Sequence, residues 1–212
     1  MLAVKRTRLV VMAAILVLVC GFWLLNVRQW HSDGPQSAED QVYAAVIRAR
    51  LRQRNGKSKP RQLLFDTATE SPGCAGTNQS TCEDLLRKHF STAGDGTLHT
   101  DTIDDFIVKS RVAGPLSKTF ETDLPHSFVA ASAFSREKVK NLSDGYQPFY
   151  ELFPGADGIL ALTHVGFNHD MTEALVSSSL FCSGLCGNGQ THVLRKRWGK
   201  WVVVTSHTDW VS

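Results

Sequence analysis

ILALTHVGFNHDMTEALVSSSLF, residues 159–181, sets two apolar runs on either side of the polar pentad NHDMT. Each run is about the length of a strand, and the pentad is rich in the Asn and Asp that favour turns. The pattern predicts a strand over 159–167, a turn over 168–172 and a second strand over 173–181. Upstream, FPGADG (153–158) reads as a tight loop. Downstream, a cysteine-glycine loop leads into THVLRKR (191–197), and Trp198-Gly199-Lys200 turns the chain into WVVVTSH (201–207). Consecutive runs joined by short turns define an antiparallel meander.

The first half of the chain carries helical signals instead. Ser37-x-x-Asp40 resembles a capping box, and Val42, Tyr43, Val46, Ile47 and Leu51 follow at helical spacing. A helix is therefore expected over 38–53. RQLLFDTAT (61–69) reads as a strand, CEDLLRKHF (82–90) as a short helix and 101–111 as another. A strand is expected from Phe128 to Phe134. Helices first and strands later indicate an α+β domain, with helices packed on a curved antiparallel sheet. A cystatin-like or nuclear-transport-factor-like roll is the architecture this pattern suggests.

The N-terminus decides the compartment. Residues 9–27, LVVMAAILVLVCGFWLLNV, are almost continuously apolar and follow Lys5, Arg6 and Arg8. Nineteen helical residues span roughly 28 Å, close to the hydrocarbon thickness of a bilayer. No small-x-small cleavage pattern follows, so the run reads as a transmembrane anchor rather than a cleaved leader. The basic flank places 1–8 in the cytoplasm, and 28–37 becomes a linker. Residues 38–212 are then a single periplasmic or extracellular domain. The formal charge of +3 hides an asymmetry: residues 1–61 hold eleven Lys/Arg against three Asp/Glu, and the remainder is acidic. An acidic exported body excludes nucleic acid as the natural partner. The membrane, through the anchor, and an envelope protein or polymer are the partners expected. The basic stretch RARLRQRNGKSKPR (48–61) reads as a solvated helix end and linker, with contact to an anionic lipid or envelope polymer as the sharper alternative.

Four cysteines lie beyond the anchor, and outside the cytoplasm an even set implies disulfides. Cys74 and Cys82 are close in sequence, as are Cys182 and Cys186, so these two pairs are the expected bridges. The C-x7-C spacing of Cys74 and Cys82 does not suit a zinc knuckle, and the C-x3-C of Cys182 and Cys186, lying between strands, does not suit a thioredoxin-type redox motif. The glycines of FCSGLCGNGQ do not open a helix, so no phosphate cradle and no cofactor is assigned. His164, His169, Asp170 and Glu173 form one polar cluster around the predicted turn. A hydrolytic or metal-dependent site built on it is the enzymatic alternative; the turn chemistry of Asn, His and Asp accounts for it without one. No catalytic residue or metal ligand is assigned.

The run FPGADGILALTHVGFNHDMTEALV followed by CSGLCGNGQTHVLRKRWGKW, with TIDDFIVKSR upstream, resembles a family of bacterial exported or membrane-anchored proteins. In that family V-G-F-N precedes a strand, a C-x-x-L-C-G-x-G loop and a final tryptophan strand. The likeness covers roughly 38–206 and departs at VSSS, where a fully apolar run is the pattern. It implies an envelope location and brings no known activity. The reading is a membrane-anchored, non-catalytic binding module of the envelope, with a small-ligand pocket inside the roll as a further alternative.

Overall fold

Ser37 opens the first helix, α1 (Ala38–Arg52), through the expected capping box. Its hydroxyl accepts from Asp40 N at 3.0 Å, and the Asp40 carboxylate accepts from Ser37 N at 3.3 Å. Val42, Tyr43, Val46 and Ile47 form its buried stripe. The computed structural model of the chain describes residues 36–53, 60–71, 78–93, 98–130, 150–151, 153–182 and 187–212. The anchor at 9–27, Cys74, Cys186 and the expected strand residues 131–134 lie outside the described residues. None of the described helices is long and apolar enough to cross a membrane.

After α1 come β1 (Gln62–Asp66), α2 (Gln79–Ala93), α3 (Thr100–Lys109) and β2 (His126–Val129). The meander region follows as β3 (Ala156–Leu162), β4 (Gly166–Phe167), β5 (Glu173–Phe181), β6 (Asn188–Arg197) and β7 (Lys200–Val211). The strands form one open sheet in the order β2-β1-β3-β5-β6-β7, with β4 pairing β5. The α+β class and the β5–β6–β7 meander are as the sequence reads. The wholly antiparallel sheet is corrected: β1 pairs parallel to both β2 and β3. Parallel neighbours need long crossovers, and the chain makes one through α2 and α3 between β1 and β2. Hydrophobic alternation specifies which face of a strand is buried, not which distant strand lies beside it.

The strand expected over 159–167 is also corrected, because it breaks in two. Leu162 pairs with Ser178 and Gly166 with Leu175. Four steps on one side therefore oppose three on the other, which forces an irregularity. Two side chains satisfy the disturbed backbone. Thr163 Oγ1 accepts from Ser177 N at 2.9 Å, and Glu39 Oε1 accepts from Val165 N at 3.1 Å. At the far end, Trp198 (φ 48°) and Gly199 (φ 76°) close the β6–β7 hairpin as a turn with two left-handed residues.

Helices cover both faces. On one side α1 packs through Val42, Tyr43 and Val46 against Ala174, Val176 and Leu194. On the other, Phe90 of α2 and Ile103, Phe106 and Ile107 of α3 pack against Leu175 and Val193. β4 is clamped to α3 by backbone donors: Phe167 N reaches Asp105 Oδ2 at 2.8 Å and His169 N reaches Asp101 Oδ2 at 2.9 Å. The two acceptors are four residues apart, hence on one helical face. V-G-F-N now has a physical reason. Val165 is buried, Gly166 admits α3, Phe167 packs on Trp201, and Asn168 Oδ1 accepts from Thr172 N and Glu173 N at 2.8 Å each.

A Cβ at Gly166 would sit 2.5 Å from Phe106 N and 2.6 Å from its Cα, both backbone atoms that cannot swing aside. Gly166→Ala is therefore expected to destabilise the fold by about 1–3 kcal/mol, the usual cost of overpacking. Urea unfolding checks this, and an unchanged midpoint contradicts the close approach.

Candidate functional site

The residues of the sequence-derived cluster do not converge. His164 belongs to the α1 side, with Nδ1 3.5 Å from Glu39 Oε1 and its ring against Gly114. His169 and Asp170 are exposed in the turn, where His169 acts through its backbone. Glu173 is buried on the opposite face, at the start of α3. Its Oε1 accepts from His99 N at 2.8 Å and Thr102 Oγ1 at 2.9 Å, and Arg195 Nε stands 3.5 Å from Oε2. A carboxylate there complements the positive end of the helix, whose N-cap His99 makes no side-chain cap of its own. Glu173 is a fastener between sheet and helix. Cys82 and Cys182 are buried and disulfide-bonded; Cys74 and Cys186, their expected partners, lie outside the described residues.

What the fold does bring together lies beneath the C-terminal end of α1. A cavity of about 510 Å³ opens between that helix and the ends of β1, β3, β5 and β6. Ile47, Leu51, Leu63, Leu160 and Leu180 supply apolar wall, and Arg50, Gln62, Asp157, Asn188 and Gln190 the polar groups. Its volume is that of a small-molecule site. Arg50 is the cation at its wall. Its Nη1 donates to Ser178 Oγ at 2.7 Å, Gln190 Oε1 at 3.2 Å and Ser178 O at 3.3 Å, and its Nη2 donates to Asn188 Oδ1. Every one of these acceptors is neutral. Burial lowers the Arg50 pKa to about 10, still far above neutrality, so the charge persists.

Beneath Arg50 lies His192, fully buried. Its Nε2 is 2.8 Å from Ser178 Oγ and its Nδ1 2.9 Å from Ser206 Oγ. Burial first, and the Arg50 charge second, depress its pKa to about 3. The ring is a neutral relay between two hydroxyls. Arg50 thus rests on neutral acceptors, and the one carboxylate among the described lining residues, Asp157, is not among them.

Sequence reading assigned Arg50 to a solvated basic stretch and left Ser178 and His192 without a role. A signal existed. Arg50 lies three and four residues beyond Ile47 and Val46 on the buried stripe of α1. Ser178 and His192 occupy positions that alternate with Val176, Leu180 and Leu194, where a core-facing strand position should be apolar. Polar residues in phase with a core-facing stripe were the clue. Comparison with protein-family models, with curated proteins and with solved structures gives no match.

The His192 environment has a pH consequence with a definite sign. Its unfolded pKa is about 6.5, so between about pH 6.5 and 3 the unfolded chain binds a proton that the folded chain refuses. Stability is lost as pH falls through that window, by at most about 1.4 kcal/mol per pH unit. Between pH 7 and pH 5 the wild type is expected to lose about 2 kcal/mol more than His192→Asn. Denaturant melts at the two pH values measure it; equal losses contradict the buried neutral ring.

Proposed function

We propose that the chain is an extracytoplasmic binding module, tethered by residues 9–27, whose α+β domain takes a small amphiphile with an anionic head. The observation that carries this is Arg50: a persistent positive charge held by neutral oxygens at the wall of a 510 Å³ cavity. A buried charge is costly without a counter-charge, and a ligand carboxylate or phosphate would supply it with the geometry guanidinium favours. Ile47, Leu51, Leu63 and Leu180 would cover the ligand's apolar body. A sheet rolled toward α1 in the nuclear-transport-factor-like manner is the finer form we assign to the fold, and the cavity between helix and sheet supports it.

The test is a thermal-shift panel of fatty acids and alkyl phosphates, each beside its uncharged alcohol. Acid or phosphate at 100 times Kd should stabilise the wild type by about 2.7 kcal/mol. The alcohol should not, and Arg50→Met should lose the effect while keeping the cavity's apolar wall. An equal shift in Arg50→Met, or no shift from any anion, refutes the reading.

The compartment is part of the proposal. The apolar run at 9–27 with its basic flank supports export, as do the bonded states of Cys82 and Cys182. We assign the pairs Cys74–Cys82 and Cys182–Cys186. Alkylation of the chain, denatured without reductant straight from cells, should then tag Cys20 alone. Tagging of all five sulfurs would place the domain in a reducing space.

A further inference from the structure

On the face of the sheet opposite the cavity, two imidazoles and a carboxylate converge. His89 comes from α2, and His207 and Asp209 come from β7. His89 Nε2 is 3.1 Å from Asp209 Oδ1, and His207 Nδ1 is 3.4 Å from the same oxygen. All three donor atoms lie within 4.8 Å of one another. Ligands of a tetrahedral metal at about 2.0–2.1 Å stand roughly 3.3 Å apart. Two of the three edges already have that length.

The carboxylate is oriented through its other oxygen. Asp209 Oδ2 accepts from Thr191 Oγ1 at 2.8 Å, and Thr191 Oγ1 is 2.8 Å from Ser177 Oγ. Such outer hydrogen bonds orient metal ligands and sharpen their affinity. The backbone contributes as well. Strand alternation puts His207 and Asp209 on one face, and an irregularity in the β6–β7 register at Gly189/Gln190 leaves Asp209 as the extra residue between Thr208 and Trp210. The same irregularity lays Trp210 over Gly189, on the face that carries Thr191. His207 is half-exposed, at 50% of its side-chain surface, so water can complete a coordination shell.

We propose that His89, His207 and Asp209 bind a divalent first-row transition metal, with zinc the natural fit, and that the metal clips α2 to the C-terminal strand. Two imidazoles and one carboxylate suit zinc and its neighbours; magnesium and calcium take oxygen ligands instead. Three protein ligands leave at least one position open to water. The site is on the other face from Arg50 and does not depend on the ligand reading.

The experiment uses the untagged full chain, stripped with chelator and titrated with Zn²⁺ by calorimetry and with Co²⁺ by visible absorption. One metal per chain is expected, with a rise in melting temperature and cobalt d–d bands of low coordination number. His207→Ala and Asp209→Asn should abolish both signals. Thr191→Val, which removes only the supporting hydroxyl, should weaken binding about 10–100-fold. His169→Ala, an exposed histidine elsewhere, should change nothing. If either ligand variant unfolds, His89→Gln on α2 supplies the comparison by the same criteria. Absence of stoichiometric binding at micromolar metal, or equal affinity in wild type and Asp209→Asn, overturns the proposal.

Discussion

β5 runs through the middle of the sheet with helices on both sides, and most of its polar side chains are shut off from water. Leu175 and Val176, adjacent in sequence, are both fully buried because one faces α3 and the other α1. Each such side chain contributes about 1.5–3 kcal/mol through burial. Glu173, Ser177, Ser178 and Ser179 share that strand and must find partners inside the protein. An unsatisfied polar group there costs about as much as one of those apolar side chains gains. The strand therefore dictates what surrounds it.

Three of these polar residues each end in a different feature of the molecule. Glu173 fastens the start of α3. Ser178 joins Arg50, which lines the cavity, to the buried His192. Ser177 begins the hydroxyl chain through Thr191 to Asp209. Because alternate residues face opposite sides, Ser178 under Arg50 and Ser177 behind the His89–His207–Asp209 cluster are neighbours in sequence yet lie on opposite faces of the sheet. The VSSS departure from an apolar pattern is where the fold carries its polar chemistry into the core.

Much of the architecture was legible, and for local reasons. The capping box at Ser37, the helix 101–111, the turn at 168–172 and the strand 173–181 all involve residues close in sequence, whose backbone preferences and periodicity act on their own. Reading β7 as ending at His207 hid Asp209, since polar residues beyond Thr205 resemble a frayed tail. Pairing with β6 extends the strand to Val211 and carries that carboxylate beneath α2. The grouping of His164 with Glu173 failed for a related reason. Nearness along the chain does not survive a strand that sends alternate side chains to opposite sides.

By itself the amino-acid sequence determined the helices, most of the strands, their order and the α+β class, because helical and strand periods and turn residues are local properties. Tertiary structure alone decided that β1 lies parallel between β2 and β3, that Arg50 turns inward over Ser178 and His192, and that His89 meets Asp209 across 120 positions of chain. Those outcomes depend on which distant surfaces must be buried together and on where the polar atoms trapped between them find hydrogen bonds, and no short window of residues contains both partners.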